Sequence, residues 1–242
     1  MSSETRAVDR PATVKKSSRR RARRRYADRG RSYTAVAAIY ETLAACYSGG
    51  QIAAAKRAQL AEMQSGDRVL YVGVGAGEDA VEAARLGVRL TCLDLSSAML
   101  THVEARLGPD AQAEIICGNA FDHTRPGYYD VVTANFFLNA FSEPAMREML
   151  AHLAGLLRPG GKLLIADLAL PQGNVVARMA QRAYSRFANV AFRAFGLVPL
   201  HPIYDYRSLF AACHLDCVRS ASFRLCGFGP VAYETLTAVR AA

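Results

Sequence analysis

Val69-Leu70-Tyr71-Val72-Gly73-Val74-Gly75-Ala76-Gly77-Glu78-Asp79 is the stretch on which the fold turns. Its first four residues carry no polar side chain except one tyrosine, and read as a buried parallel strand. Three glycines at alternate positions end that strand, and residues 78–86 then take up helical spacing. Glycine lets the backbone turn tightly and approach a ligand that any Cβ would hold off. A helix beginning there turns unpaired N–H groups and the positive end of its dipole toward that ligand.

Spacing narrows the ligand. A dinucleotide fingerprint needs its third glycine one place later, where Glu78 stands. Gly-x-Gly-x-Gly resembles instead the first motif of the class I S-adenosylmethionine-dependent methyltransferases. A carboxylate at the helix start also suits a sulfonium and an ammonium better than a pyrophosphate. Steric demands alone put glycines in many strand-to-helix turns, so the neighbours decide.

Residues 88–94 read as a second strand ending in Asp94, 17 positions past Gly77, where an acid accepts both ribose hydroxyls. The competing role is a cap on the helix expected over 97–107. Ser96 and Met99 would flank the nucleoside. After a third strand, 113–117, the resemblance implies that Asn119, with Ala120, takes the place of the family's adenine-reading Asp. Its amide oxygen accepts the same hydrogen bond. A fourth strand, 129–134, opens into Asn135-Phe136-Phe137-Leu138-Asn139-Ala140-Phe141 at the carboxyl end of the sheet, where open α/β folds bind ligands. Ser142-Glu143-Pro144 starts a helix, with Ser142 as N-cap. Leu156-Leu157-Arg158-Pro159-Gly160-Gly161-Lys162 is a turn typical of the same family, and a fifth strand, 163–167, follows. Residues 217–225 and 231–239 are expected to pair antiparallel. The resemblance implies an α/β fold, a three-layer doubly wound sheet of seven strands with the last antiparallel.

Composition fits that fold. The chain has 242 residues, 51% hydrophobic and 21% charged, enough for one domain with a sizeable core. No apolar run approaches the ~18 residues of a membrane span, and the polar, basic N-terminus predicts no secretory signal. Residues 1–31 hold 12 Lys/Arg against 3 Asp/Glu, while the remainder is balanced. A disordered basic tail is therefore expected over 1–31, ahead of a domain over 32–242. A solubilising terminus explains the tail as well as an anionic membrane surface or nucleic acid does; Glu4 and Asp9 speak against a transit peptide. Six cysteines without a Cys-x-x-Cys pair read as reduced thiols of a cytosolic protein. Two helices, 33–47 and 52–63, precede the first strand.

A basic amphipathic insertion is expected at about 172–200. No acidic residue occurs between Leu168 and Tyr204. Val175, Val176, Met179, Ala183, Phe187 and Val190 share one helical stripe, punctuated by Arg178, Arg182, Arg186 and Arg193. Such a helix serves as a lid packed over the sheet with its arginines outward, or lies on a membrane surface.

Methyl transfer from a sulfonium is an in-line displacement that needs positioning, exclusion of water and sometimes a base. Asp122, His123 and His201 are the candidate bases. Phe136, Phe137, Phe141, Tyr204 and Tyr206 could wall a flat apolar substrate or simply pack the core. One departure stands out: the family carries Asp or Glu before its glycine loop, and here the residue is Tyr71, uncharged at neutral pH. Glu78 and Asp79 are placed to compensate. The layout resembles the ubiquinone/menaquinone-biosynthesis methyltransferases. Tyr71, with Ala134-Asn135-Phe136-Phe137-Leu138-Asn139, resembles their rhodoquinone-biosynthesis offshoot.

That resemblance implies a lipophilic quinone substrate, S-adenosylmethionine as cofactor and amino donor, and Mn2+ as a helper, with no metal ligands legible in the residues. The expected catalytic residues are Tyr71, Asp122 and His201. The expected cofactor contacts are Gly73, Gly75, Gly77, Glu78, Asp79, Asp94, Met99, Asn119, Ala120 and Asn135. Rival readings are an ordinary methyltransferase of lipophilic substrates and a non-catalytic binding protein. A nucleic-acid methyltransferase is disfavoured, because Asn135-Phe136-Phe137 lacks the prolines of the amino-adenine motif. The expected location is cytoplasmic, peripheral on the inner face of the cytoplasmic membrane, with no oligomeric state legible.

Overall fold

The computed structural model describes residues 48–108, 111–194 and 203–241. The tail over 1–31, the helix expected over 33–47, and His201 lie outside the described residues.

Seven strands form one sheet in the order β3-β2-β1-β4-β5-β7-β6: β1 Arg68–Val72, β2 Arg89–Asp94, β3 Ala113–Cys117, β4 Tyr129–Thr133, β5 Leu157–Leu168, β6 Leu215–Arg224 and β7 Val231–Arg240. The first five are parallel, and β7 runs antiparallel between β5 and β6. The chain moves outward from β1 to β3, then returns to place β4 on the other side of β1. That reversal opens a crevice at the carboxyl ends of β1 and β4, where doubly wound sheets take their ligands.

Period-two alternation divides the core between two faces. Val69, Tyr71, Leu90 and Cys92 pack with Ala80, Ala83, Leu100 and Val103, the buried positions of α2 (Glu78–Ala84) and α3 (Ser97–Arg106). Leu70, Val72 and Val132 face the opposite way, toward α4 (Glu143–Leu156). On α4, Met146, Met149, Leu150 and Leu153 recur at helical spacing and are fully buried, each contributing about 2 kcal/mol of apolar burial. Pro144 sits in its first turn as expected, while Ser142 holds the N-cap position without a side-chain capping bond.

Two boundaries differ from expectation. The helix expected over 52–63 is α1 (Gln51–Ala58) followed by a tighter 3-10 turn, Gln59–Glu62. Three residues per turn bring Gln59 and Glu62 to the same buried side, and Glu62 there meets Lys162 at 3.0 Å and Arg219 at 2.9 Å. The fifth strand starts earlier, at Leu157. It pairs with β4 at Tyr129↔Leu157, bulges through Arg158–Gly161, and resumes at Val131↔Lys162. Arg158 and Arg68 both grip Asp130 beneath the bulge. Burial would raise that carboxyl, but the two guanidinium partners hold it well below the usual carboxylate range.

A fifth helix, α5 (Val175–Ala194), follows β5, and a short one, α6 (Arg207–Phe210), precedes β6. Among the described residues no helix is long and apolar enough to cross a membrane.

Candidate active site

The glycine loop leaves β1 and passes over the end of β2. Gly73 N–H and Val74 N–H both donate to the Leu93 carbonyl, at 2.8 and 3.3 Å. All three loop glycines have positive φ, but their surroundings differ. A Cβ on Gly73 would lie 2.5 Å from Phe137, and one on Gly77 2.6 Å from Val103. At Gly75 a Cβ would meet nothing within 4 Å. Gly73 and Gly77 are small for packing; Gly75 is the one that opens onto free space.

Asp94 closes the loop from below. Its carboxylate accepts Gly75 N–H at 3.0 Å and Ser96 N–H at 2.9 Å. Burial pushes this carboxyl up, opposed by those backbone donors. Ser96 also caps α3 by accepting Met99 N–H, which fixes Met99 beside the loop in a buried position. Gly118 N–H donates to the Asp94 carbonyl, bringing Asn119 alongside. The Asn119 side-chain oxygen accepts Phe121 N–H at 3.0 Å, capping the turn Ala120–Asp122. It therefore has one lone pair committed and one left for a ligand.

The acid missing at Tyr71 has a counterpart across the loop. Tyr71 is buried, faces α2, and donates its hydroxyl to the Asp79 carbonyl at 3.3 Å. Burial and the neighbouring Asp79 raise the phenol well above its ordinary value, so it stays neutral. Tyr71 is thus enclosed, and its hydroxyl is bonded to Asp79. Asp79 is only 3% exposed. Its Oδ2 accepts the Asn135 amide at 3.0 Å, while Oδ1 has no hydrogen-bond partner and lies 3.5 Å from the Lys56 ammonium. Asn135 in turn accepts Ala166 N–H at 3.0 Å, tying β4 to β5. Glu78, by contrast, is exposed.

Asp122 is exposed at the end of its turn. His123 joins the Tyr129 hydroxyl at 2.8 Å, and burial lowers its imidazole. Of the expected aromatic walls, Phe137, Phe141 and Tyr206 belong to the core. Phe136 is half-buried beside Asn135, with φ of 50° and an edge contact to Tyr233 at 5.9 Å. A positive φ on a bulky residue at the crevice is the kind of strain that a binding site retains.

Sequence reasoning gave no role to the cluster at the end of β5. Asp167 is buried and accepts the Tyr206 hydroxyl, the Asn139 amide and Leu168 N–H, all within 2.6–2.7 Å. Burial outweighs those donors and pushes Asp167 up to about 7. The folded protein therefore holds this proton more tightly than the unfolded chain. Stability from this group is greatest below about pH 4, declines as pH rises, and is lost through about pH 7. Urea denaturation across that range should show a decline of up to ~4 kcal/mol, flattened in Asp167→Asn. An unchanged slope in the variant would assign the effect elsewhere.

A family model described as a methyltransferase domain matches residues 69–161. Over that span the chain is similar to a methyltransferase domain. The chain is 30% identical, over 47% of its length, to a demethylmenaquinone methyltransferase of Clavibacter sepedonicus, and that match spans 46% of the relative. It is 28% identical to the ubiquinone/menaquinone biosynthesis C-methyltransferase UbiE of Pseudomonas putida, over 85% of this chain and 82% of the relative. Among solved structures, the 1,6-didemethyltoxoflavin-N1-methyltransferase of Burkholderia thailandensis, with bound S-adenosylhomocysteine, superposes with a TM-score of 0.66. It covers 97% of this chain and 94% of its own at 18% identity, a likeness of fold. The chain therefore has the expected three-layer, seven-stranded α/β architecture, shared with that methyltransferase structure.

Proposed function

We propose that this methyltransferase domain acts with S-adenosylmethionine on a lipophilic quinone, converting ubiquinone to rhodoquinone by exchange of a ring methoxy group for an amino group. The displaced acid carries this reading. The resembled family places Asp or Glu where Tyr71 is buried, while here the enclosed carboxylate stands on Asp79, with one oxygen free of hydrogen bonds.

The residues fit the cofactor. Gly75 gives the backbone its close approach, Asp94 receives the ribose hydroxyls, and Asn119 and Ala120 border the adenine beside Met99. Asp79, held by Asn135 at Oδ2, takes the ammonium through Oδ1 in place of its ion pair with Lys56. When bound, S-adenosylmethionine supplies an electrophilic methyl group and, by the resemblance, the amino group. Moving the acid from strand to helix changes how that amino group is held. Phe136 offers an apolar wall, and Asp122 and His201 are the proposed proton carriers. Among the described residues no group of three or more His, Cys, Asp or Glu is placed to hold a metal ion, so no step is routed through manganese.

Ordinary methyl transfer to a lipophilic substrate is the second reading, favoured by the names of the relatives in quinone biosynthesis. Expression in a ubiquinone-making host, followed by mass profiling of its quinones, separates the two. An aminoquinone is expected; methylated but never aminated quinone would overturn the specific assignment.

A further inference from the structure

α5 is attached to the sheet by polar groups. Gln181 is 1% exposed, donates its amide to the Ala169 carbonyl at 2.7 Å and accepts Gln172 N–H at 3.1 Å. One turn later the Tyr184 hydroxyl meets that of Tyr233 at 2.8 Å. The first residues of the apolar stripe, expected either to pack as a lid or to lie on a membrane surface, are open to solvent. Val175, Val176 and Met179 are 61%, 74% and 65% exposed. Arg178, Arg182 and Arg186, also exposed, form a row at i, i+4 spacing along one side of that stripe. No acid between Leu168 and Tyr204 offsets them.

We infer that this face docks on an anionic lipid bilayer, with α5 lying in the headgroup plane, Val175, Val176 and Met179 toward the acyl chains and the arginine row toward lipid phosphates. Apolar residues beside an unopposed cationic row suit a surface that is hydrocarbon below and anionic above. A second copy of the chain suits it poorly, because a two-fold pairing would bring the arginine rows together. The inference is independent of which group the enzyme transfers.

The chain contains no tryptophan, so Met179→Trp in the full-length protein gives a single reporter on the exposed face. Its emission is expected to shift to the blue, and to be quenched by brominated lipid, on vesicles containing phosphatidylglycerol, with little change on phosphatidylcholine alone. Arg182→Gln combined with Arg186→Gln should weaken vesicle binding roughly 30-fold, at ~1 kcal/mol for each lost charge. Pelleting with vesicles while the emission stays unshifted would locate binding in the basic tail and overturn the inference. So would an equal response to neutral vesicles, or a lipid-independent blue shift. In that last case, dependence on protein concentration would identify a second copy as the occupant, and its absence another part of the chain. S-adenosylhomocysteine affinity, measured by calorimetry without lipid, should be the same in all these variants, which keeps a failure here distinct from a failure of the cofactor site.

Discussion

Titration calorimetry of Gly75→Val with S-adenosylhomocysteine should show affinity lower by about 100-fold or more. Two costs combine at this position. A β-branched side chain at φ of 58° carries ~1–3 kcal/mol of backbone strain. Its methyl groups would also fill the space that Gly75 leaves open toward the crevice. The neighbouring glycines should respond differently. Alanine at Gly73 or Gly77 would collide with Phe137 or Val103, so thermal stability should fall before affinity does. Unchanged cofactor binding in Gly75→Val would remove the loop from the site.

Tyr71→Asp should be the most damaging single change. It restores the acid of an ordinary methyltransferase, but into a place shaped without one. The position belongs to a buried cluster with Val69, Val74, Ala80 and Cys92, and the neighbouring charge is that of the buried Asp79. An unpaired carboxylate there should cost ~3–5 kcal/mol of stability or take up a proton. Tyr71→Phe, which loses only the bond to the Asp79 carbonyl, should cost about 1 kcal/mol. Urea denaturation reads both costs, and aminoquinone formed per folded protein should fall in Tyr71→Asp. Under ordinary methyl transfer the restored acid would regain a cofactor contact and tighten binding. Higher activity in Tyr71→Asp would therefore discard the amination reading.

The parts of this molecule legible in sequence are those whose determinants are local. Strand, glycine loop and helix start fall within the eleven residues from Val69 to Asp79, and the end of β2 is marked by Asp94 alone. The proline and glycines at Arg158–Gly161 mark a turn, though not that it is a bulge within β5. What was not legible depends on residues far apart along the chain. Nothing near Lys56 signals its approach to Asp79, and the Asn139–Asp167–Tyr206 cluster draws on three separate segments. α5 is ambiguous in sequence for a different reason. Its periodicity correctly gave a helix, but a hydrophobic stripe does not say what it faces, and one buried glutamine with two backbone bonds turned it away from the sheet.

The placement of β7 has a kinetic consequence. Lys162 on β5 finds its neighbour at Val239, 77 positions further along the chain. Until that strand arrives, Leu163, Leu164, Ile165 and Ala166, all essentially buried in the finished sheet, border an open edge with unpaired backbone groups. Pairings of such long sequence separation form late, because loop closure must precede the contacts that reward it. During refolding, β1 to β5 should gain hydrogen-exchange protection before β7 does, and the interval between them is when this chain is most exposed to edge-to-edge aggregation.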